Sequence, residues 1–245
     1  MNMKILFTSI LLASTQIVVA QKNDLDGLLK AFPQPIGSYS TLEEALKNPN
    51  KVLHLYLGGR NLNKLPIELL KFKNLEDLNL NDNNIQEIPV WIKKLTKLKK
   101  LEVRNNKLKV FPELTVYLST LKELDLAGNE FNKFPNISEN KNSSLEIMNL
   151  SMNNFEDLPL SIQRLTKIKR LILENNHFRK IPNVIFKMTN LEFVSFMSND
   201  ISDFELTSPV KGKLRGIYMP LNPINSAKIS QLKKLIPNCN ITTVL

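Results

Sequence analysis

Cysteine is almost missing: Cys239 is the only one in 245 residues. A single thiol excludes an intramolecular disulfide framework, so the core must stabilise the fold without covalent help. Histidine is nearly as scarce, with His54 and His177 alone and far apart in sequence. No nucleophile–base arrangement and no His/Cys metal-ligand spacing can be drawn from them. Glycine totals seven, and none builds a phosphate-cradling loop. The sequence therefore predicts no enzyme, no cofactor and no metal site. Beyond the first twenty residues no apolar run approaches the roughly 20 residues that a membrane-spanning helix needs.

What is present begins with Met-Asn-Met-Lys, the apolar run Ile5 to Ala13, and a second apolar stretch to Ala20. A basic start, a short apolar centre, and Val18 and Ala20 before the polar Gln21 form a signal-peptide pattern over 1–20. The expected location is outside the cytoplasm: secreted, periplasmic or on the cell surface. The formal charge is +10. Such an excess suits a solvated lysine-rich surface, and export argues against nucleic acid as the partner.

The rest of the chain is periodic. Leu75-Glu-Asp-Leu-Asn-Leu-Asn-Asp-Asn-Asn-Ile-Gln-Glu-Ile-Pro89 returns as Leu98-Lys-Lys-Leu-Glu-Val-Arg-Asn-Asn-Lys-Leu-Lys-Val-Phe-Pro112. The frame repeats from Leu121, Leu145, Ile168, Leu191 and Leu214, and a weaker copy starts at Val52. The step is 23 residues, except for one of 24 between Leu121 and Leu145. A fixed period of this length defines a solenoid. Apolar residues at the fourth and sixth places, around an open fifth, describe a short strand with one buried face. The proline at the fifteenth place, as in Pro66, Pro89, Pro135, Pro159 and Pro182, presets a helical or 3₁₀ turn on the outer side.

The ninth place holds Asn83, Asn106, Asn129, Asn153, Asn176, Asn199 and Asn222. An asparagine there can satisfy backbone donors and acceptors in the turn after the strand, so these residues should form a buried ladder. Arg60 takes that place in the first copy, which predicts an atypical first turn.

These residues resemble the leucine-rich repeat family, in the variant whose repeats continue Pro-x-x-Ile-x-x-Leu. Pro89, Ile92 and Leu95 fit that continuation, and so do Pro159, Ile162 and Leu165. The resemblance covers 52–227, about eight repeats, and implies an α/β solenoid with a parallel sheet on the concave face and short helices or 3₁₀ turns on the convex face. It also implies a binding scaffold whose partner is a protein. The ends resemble the flanks of secreted bacterial members, and the lack of capping cysteines fits a bacterial source. Residues 21–51 read as a linker and helical cap: 21–40 is expected to be irregular, and Thr41-Leu-Glu-Glu44 has capping-box spacing. Residues 228–245 read as the second cap, in a helix from Ser226 to Leu235 followed by a closing strand near Ile241.

Two surfaces compete for the partner. Places three, five, seven and eight are expected on the concave face. In copies two to four they are charged or amide residues such as Asp77, Asn79, Lys100, Glu102, Arg104 and Asp125. In copies five to eight they include Ile147, Met152, Ile172, Phe193, Met197, Tyr218 and Leu221, which read as a partner-binding patch. The phenylalanines Phe111, Phe131, Phe134, Phe155 and Phe178 stand at inward places and read as core. The alternative is attachment to a surface glycan or envelope polymer through Lys93, Lys94, Lys97, Lys99, Lys100, Arg104, Lys107 and Lys109. That cluster divides between outer segments and the strand, and reads as a solvated face.

Overall fold

The computed structural model describes residues 35–111, 119–137, 143–206, 208–210 and 212–244. The expected signal segment 1–20 and the linker that follows it lie outside these residues as far as 34.

Each repeat contributes one three-residue strand. In chain order these are β2 (His54–Tyr56), β3 (Asp77–Asn79), β4 (Lys100–Glu102), β5 (Glu123–Asp125), β6 (Ile147–Asn149), β7 (Arg170–Ile172), β9 (Phe193–Ser195) and β11 (Gly216–Tyr218). All pair in parallel with their neighbours, third place to third place along the array. Two cap strands extend this sheet to ten: β1 (Ser38–Tyr39) pairs with β2, and β12 (Asn240–Thr242) pairs with β11.

Within the expected irregular stretch 21–40, of which 21–34 lie outside the described residues, β1 corrects the expectation at Ser38–Tyr39. Gly37, with φ +83°, turns the chain so that its carbonyl accepts from the Leu53 and His54 amides at 2.9 and 3.1 Å. A Cβ at Gly37 would lie 2.8 Å from the Lys51 carbonyl, so glycine is required at this close approach.

The alternation of the strand buries its central residue and opens its two ends. Leu55, Leu78, Leu101, Leu124, Met148, Leu171, Val194 and Ile217 are all buried. The eleventh-place phenylalanines Phe131, Phe155 and Phe178 are fully buried, as read from sequence. Phe131 and Phe155 stack with centroids 6.3 Å apart, and Phe111 reaches Phe131 at 5.4 Å. Aromatic pairs at such distances add about 0.5–1.5 kcal/mol beyond area burial.

The outer turns are 3₁₀ helices, at Ile67–Lys71, Val90–Lys94, Leu160–Arg164 and Asn183–Lys187. Each follows a proline with φ between −58° and −70°. That proline's carbonyl accepts the amide three residues on, as Pro89 does from Ile92 at 3.0 Å. The ring fixes the entry dihedral and loses no bond, because its missing N–H would have had no partner.

A second, two-stranded parallel sheet lies off the main one, where β10 (Asp203–Phe204) pairs with β8 (Lys180–Ile181). In the seventh copy Glu205 replaces the proline. Glu205 pairs with Lys180 at 2.8 Å and Asp203 pairs with Lys228 at 2.6 Å. This copy therefore departs from the pattern with contacts of its own and is not an eroded version of it.

Both ends are closed. Helix α1 (Leu42–Lys47) starts at Thr41, whose hydroxyl accepts the Glu44 amide at 3.2 Å. Helix α2 (Ser226–Leu235) starts at Asn225, whose side chain accepts the Lys228 amide at 2.9 Å, and buries Leu232. Its first residue precedes the cap boundary expected at 228.

Cys239, in the second cap, is buried, and burial pushes its thiol up to about 11. Because the folded value lies above the ordinary 9.0, this group leaves stability unchanged below about pH 9 and lowers it as pH rises from there towards 11. The thiol should therefore resist a disulfide reagent at pH 8 in the native chain and react fully once urea unfolds it. Rapid labelling of native protein would show that the cap opens.

Candidate functional site

The asparagine ladder sets the curvature on which any site must sit. Asn129 Oδ1 accepts the Leu108 amide at 3.0 Å, and its Nδ2 donates to Val103 O at 2.9 Å and Leu126 O at 3.0 Å. Asn153, Asn176 and Asn199 repeat all three bonds with the equivalent partners, and Asn106 repeats those to the preceding repeat, from Ile85 and to Leu80. Asn83 Oδ1 accepts two amides, from Arg60 and Leu62, so the first turn differs as the arginine there predicts. Asn222 ends the ladder half-buried, accepting from Ile201 at 2.9 Å.

The eighth place differs from its reading as concave surface. It is the left-handed residue of the turn leaving each strand, with φ of 50° to 65° in Gly59, Asp82, Asn105, Gly128, Met152, Asn175, Ser198 and Leu221. Glycine, asparagine and aspartate tolerate that region; methionine and leucine do so at a cost of about 1–2 kcal/mol each. Met152 and Leu221 therefore stand on the rim beside the sheet, 52% and 60% exposed.

The N-terminal half of the concave sheet is polar and internally paired. His54 Nδ1 lies 2.6 Å from Asp77 Oδ2, and Asn79 donates to Glu102 at 3.0 Å. Lys100 lies 3.0 Å from Glu102 and 3.8 Å from Glu123. Partial burial disfavours the Lys100 charge, but Glu102 and Glu123 outweigh it and hold the ammonium above its ordinary value. Burial pushes the Asp125 carboxyl up, against the lowering pull of the Ala127 amide, Arg104 and Asn149.

The C-terminal half is arranged differently. Register places Phe193 and Met197 two residues to either side of Ser195, and sets Ile172 and Tyr218 directly beside Ser195 on the flanking strands. The four apolar side chains thus form a diamond around Ser195, which is only 1% exposed and donates its hydroxyl to Glu174 at 2.6 Å. Phe193, 36% exposed, lies across Gly216, where an added Cβ would come within 2.8 Å of its ring. Ile147 is set apart, since Arg170 separates it from Phe193 along the third-place row. Among the seven residues read as a patch, then, the structure groups four, places two on the rim and leaves one as an outlier.

Charge is sorted by flank, which the linear lysine cluster hid. The loop entering each strand carries Lys73, Lys97, Lys99 and Lys122 at one end of the array and Lys167, Lys169, Lys213 and Arg215 at the other, all exposed. Three acids share that flank: Glu76, Glu146 and Glu192. Stacking is seen directly in Lys97 with Asn74 at 2.7 Å, Lys99 with Glu76 at 2.6 Å and Lys169 with Glu146 at 2.7 Å. Lys71, Lys93, Lys94 and Lys187 continue the excess onto the outer shoulder. On the opposite flank Lys64, Lys107, Lys109, Lys133, Arg179 and Lys180 are matched by Glu87, Glu130, Glu156, Asp157, Asp200 and Asp203. Lys100 and Arg104 belong to the concave side and Lys107 and Lys109 to this balanced flank, so the cluster read from sequence divides among three surfaces.

Among the described residues no group of three or more His, Cys, Asp or Glu could hold a metal, and no helix is long and apolar enough to cross a membrane.

The comparisons with known proteins agree with this architecture. A leucine-rich repeat family model matches residues 73–116 in two copies, and a second leucine-rich repeat model matches 117–133. Among curated proteins none is similar enough to match. A leucine-rich repeat protein of Leptospira interrogans shares the fold at TM-score 0.60 and 24% identity, over 82% of this chain and 57% of its own. This chain thus spans just over half of that protein's length. Internalin C2 of Listeria monocytogenes matches at TM-score 0.62 and 22% identity, over 81% of this chain and 83% of its own. Another internalin of the same organism, InlF, matches at 0.58 and 18%, over 84% and 64%. The fold is that of a leucine-rich repeat solenoid, and it is shared with these bacterial structures.

Proposed function

We propose that this chain is an exported, non-catalytic binding protein that holds a protein partner on the C-terminal half of its concave face. The carrying observation is the partly exposed apolar diamond of Ile172, Phe193, Met197 and Tyr218. The last strand, β12, pairs edge-on with β11 and so lengthens the sheet. Met152 and Leu221 support the same reading. Each leaves an apolar side chain more than half in solvent on a left-handed backbone, two costs to the fold.

A protein fits this surface better than a small molecule. The face is broad and shallow, and aromatic and methionine side chains around a polar centre are typical of the middle of a protein interface. The charges of the N-terminal half already satisfy one another, so that half would serve as a polar rim. The test is crosslinking capture from envelope and culture supernatant with the native chain and with Ile172→Asp/Phe193→Asp. A partner captured equally by both would overturn the assignment.

A further inference from the structure

We propose that the flank formed by the strand-entry loops is a second binding surface, separate from the concave face, for a linear acidic polysaccharide. Eight basic side chains face three acidic ones on this flank, while six of each sign balance on the opposite flank. A lysine-rich coat that served only solubility would fall on both flanks alike. Sequential repeats are stacked about 4.8 Å apart along the sheet, so a polymer laid along the array meets a new set of basic groups at almost every step. Such a row attracts a polyanion over about 10 Å at 0.1 M salt.

The other side chains of this flank choose among polyanions. Exposed Thr96, Thr166 and Thr189 interleave with the cations and offer hydroxyls to a sugar chain. The apolar residues of these loops, such as Phe72, Leu95 and Leu165, are buried; the exposed Ile67, Val90 and Leu160 open the outer turns instead, away from the strand-entry loops. No described aromatic side chain is exposed there to stack on nucleic acid bases.

Heparin serves as the probe, titrated calorimetrically against the full chain at low salt. Lys73→Glu/Lys122→Glu/Lys167→Glu should weaken binding about twentyfold or more, and raising salt from about 50 to 200 mM should weaken it about tenfold or more. The same change of net charge on the other flank, Lys64→Glu/Lys107→Glu/Lys133→Glu, should weaken it less than about threefold. All six positions are exposed, so circular dichroism should be unchanged; the three glutamine replacements at 73, 122 and 167 give the same ranking with smaller losses. Ile172→Asp/Phe193→Asp should bind heparin as the native chain does, which separates this surface from the concave one. Equal losses in the two charge-reversed variants would reduce the effect to net charge and overturn the proposal. So would duplex DNA, or vesicles of phosphatidylserine and phosphatidylcholine, binding as tightly as heparin.

Discussion

Asn129→Ala is expected to destabilise the chain by about 3–5 kcal/mol. The side chain is 7% exposed and bonds to three backbone groups in two successive repeats. Alanine leaves the Leu108 amide and the Val103 and Leu126 carbonyls inside the solenoid with reduced or no pairing. Each buried polar group left unmade costs about 1–3 kcal/mol. Against a typical stability of about 5–15 kcal/mol the loss is severe. Because each repeat is stabilised by its neighbours, the break falls between the two halves of the array. Asn222→Ala is the internal control. It removes the same kind of bonds from a half-buried place at the end of the ladder, where water can replace them, and should cost about 1 kcal/mol. Urea titration followed by circular dichroism measures both. Equal costs for the two would mean that the ladder owes nothing to its burial.

Ile172→Asp/Phe193→Asp is expected to weaken binding of the captured protein partner by about a hundredfold or more, with stability changed by less than about 1 kcal/mol. Both side chains face away from the core, so the strands keep their buried centres, Leu171 and Val194. Two carboxylates in place of the diamond's two nearest apolar members would have to be desolvated beneath the partner, next to Glu174. A truncation at the centre of an interface commonly costs about 2 kcal/mol or more, and two such changes reach the stated loss. The readout is a titration of the purified partner against both forms, with the urea midpoint measured in parallel. Unchanged affinity in a folded double variant would remove the concave face from the function.

Much of the fold was legible because the 23-residue period repeats the same local chemistry. Leu78 and Leu80 around Asn79 describe a strand wherever they recur, and the proline after Ile88 describes a turn. Asn225 and Pro237 likewise bracket α2. The missed elements depend on contacts that no single repeat contains. β1 exists because Gly37 brings Ser38 beside His54, and a two-residue strand carries no periodicity to read. The β8–β10 pair arises from the seventh copy, where the pattern itself lapses.

The candidate site was only partly legible, for a geometric reason. Place in the repeat says which face a residue joins, but register says which residues become neighbours. The seven apolar residues looked equivalent in sequence; Arg170 separates Ile147 from the rest, and the left-handed turn carries Met152 and Leu221 to the rim. The signal that could have shown the turn was present, in Gly59, Asp82, Asn105, Gly128 and Asn175 at one place. The basic flank escaped notice because Lys93 to Lys109 spans most of one revolution of the solenoid. Neighbours in that run point to different surfaces, while residues 23 apart share one.

The 24-residue step shows how this molecule can change length. The supernumerary residue lies after Pro135 and before Leu145, away from the strand and its turn. The bond from Asn153 to Leu126 O keeps its 3.0 Å length although its partners are 27 residues apart, one more than in the neighbouring repeats. The architecture thus admits two kinds of change in length. Whole copies can be duplicated or lost, because every inter-repeat bond is re-made by the next copy. A single residue can be gained outside the strand and its turn without disturbing the asparagine bonds, as the Asn153–Leu126 distance shows.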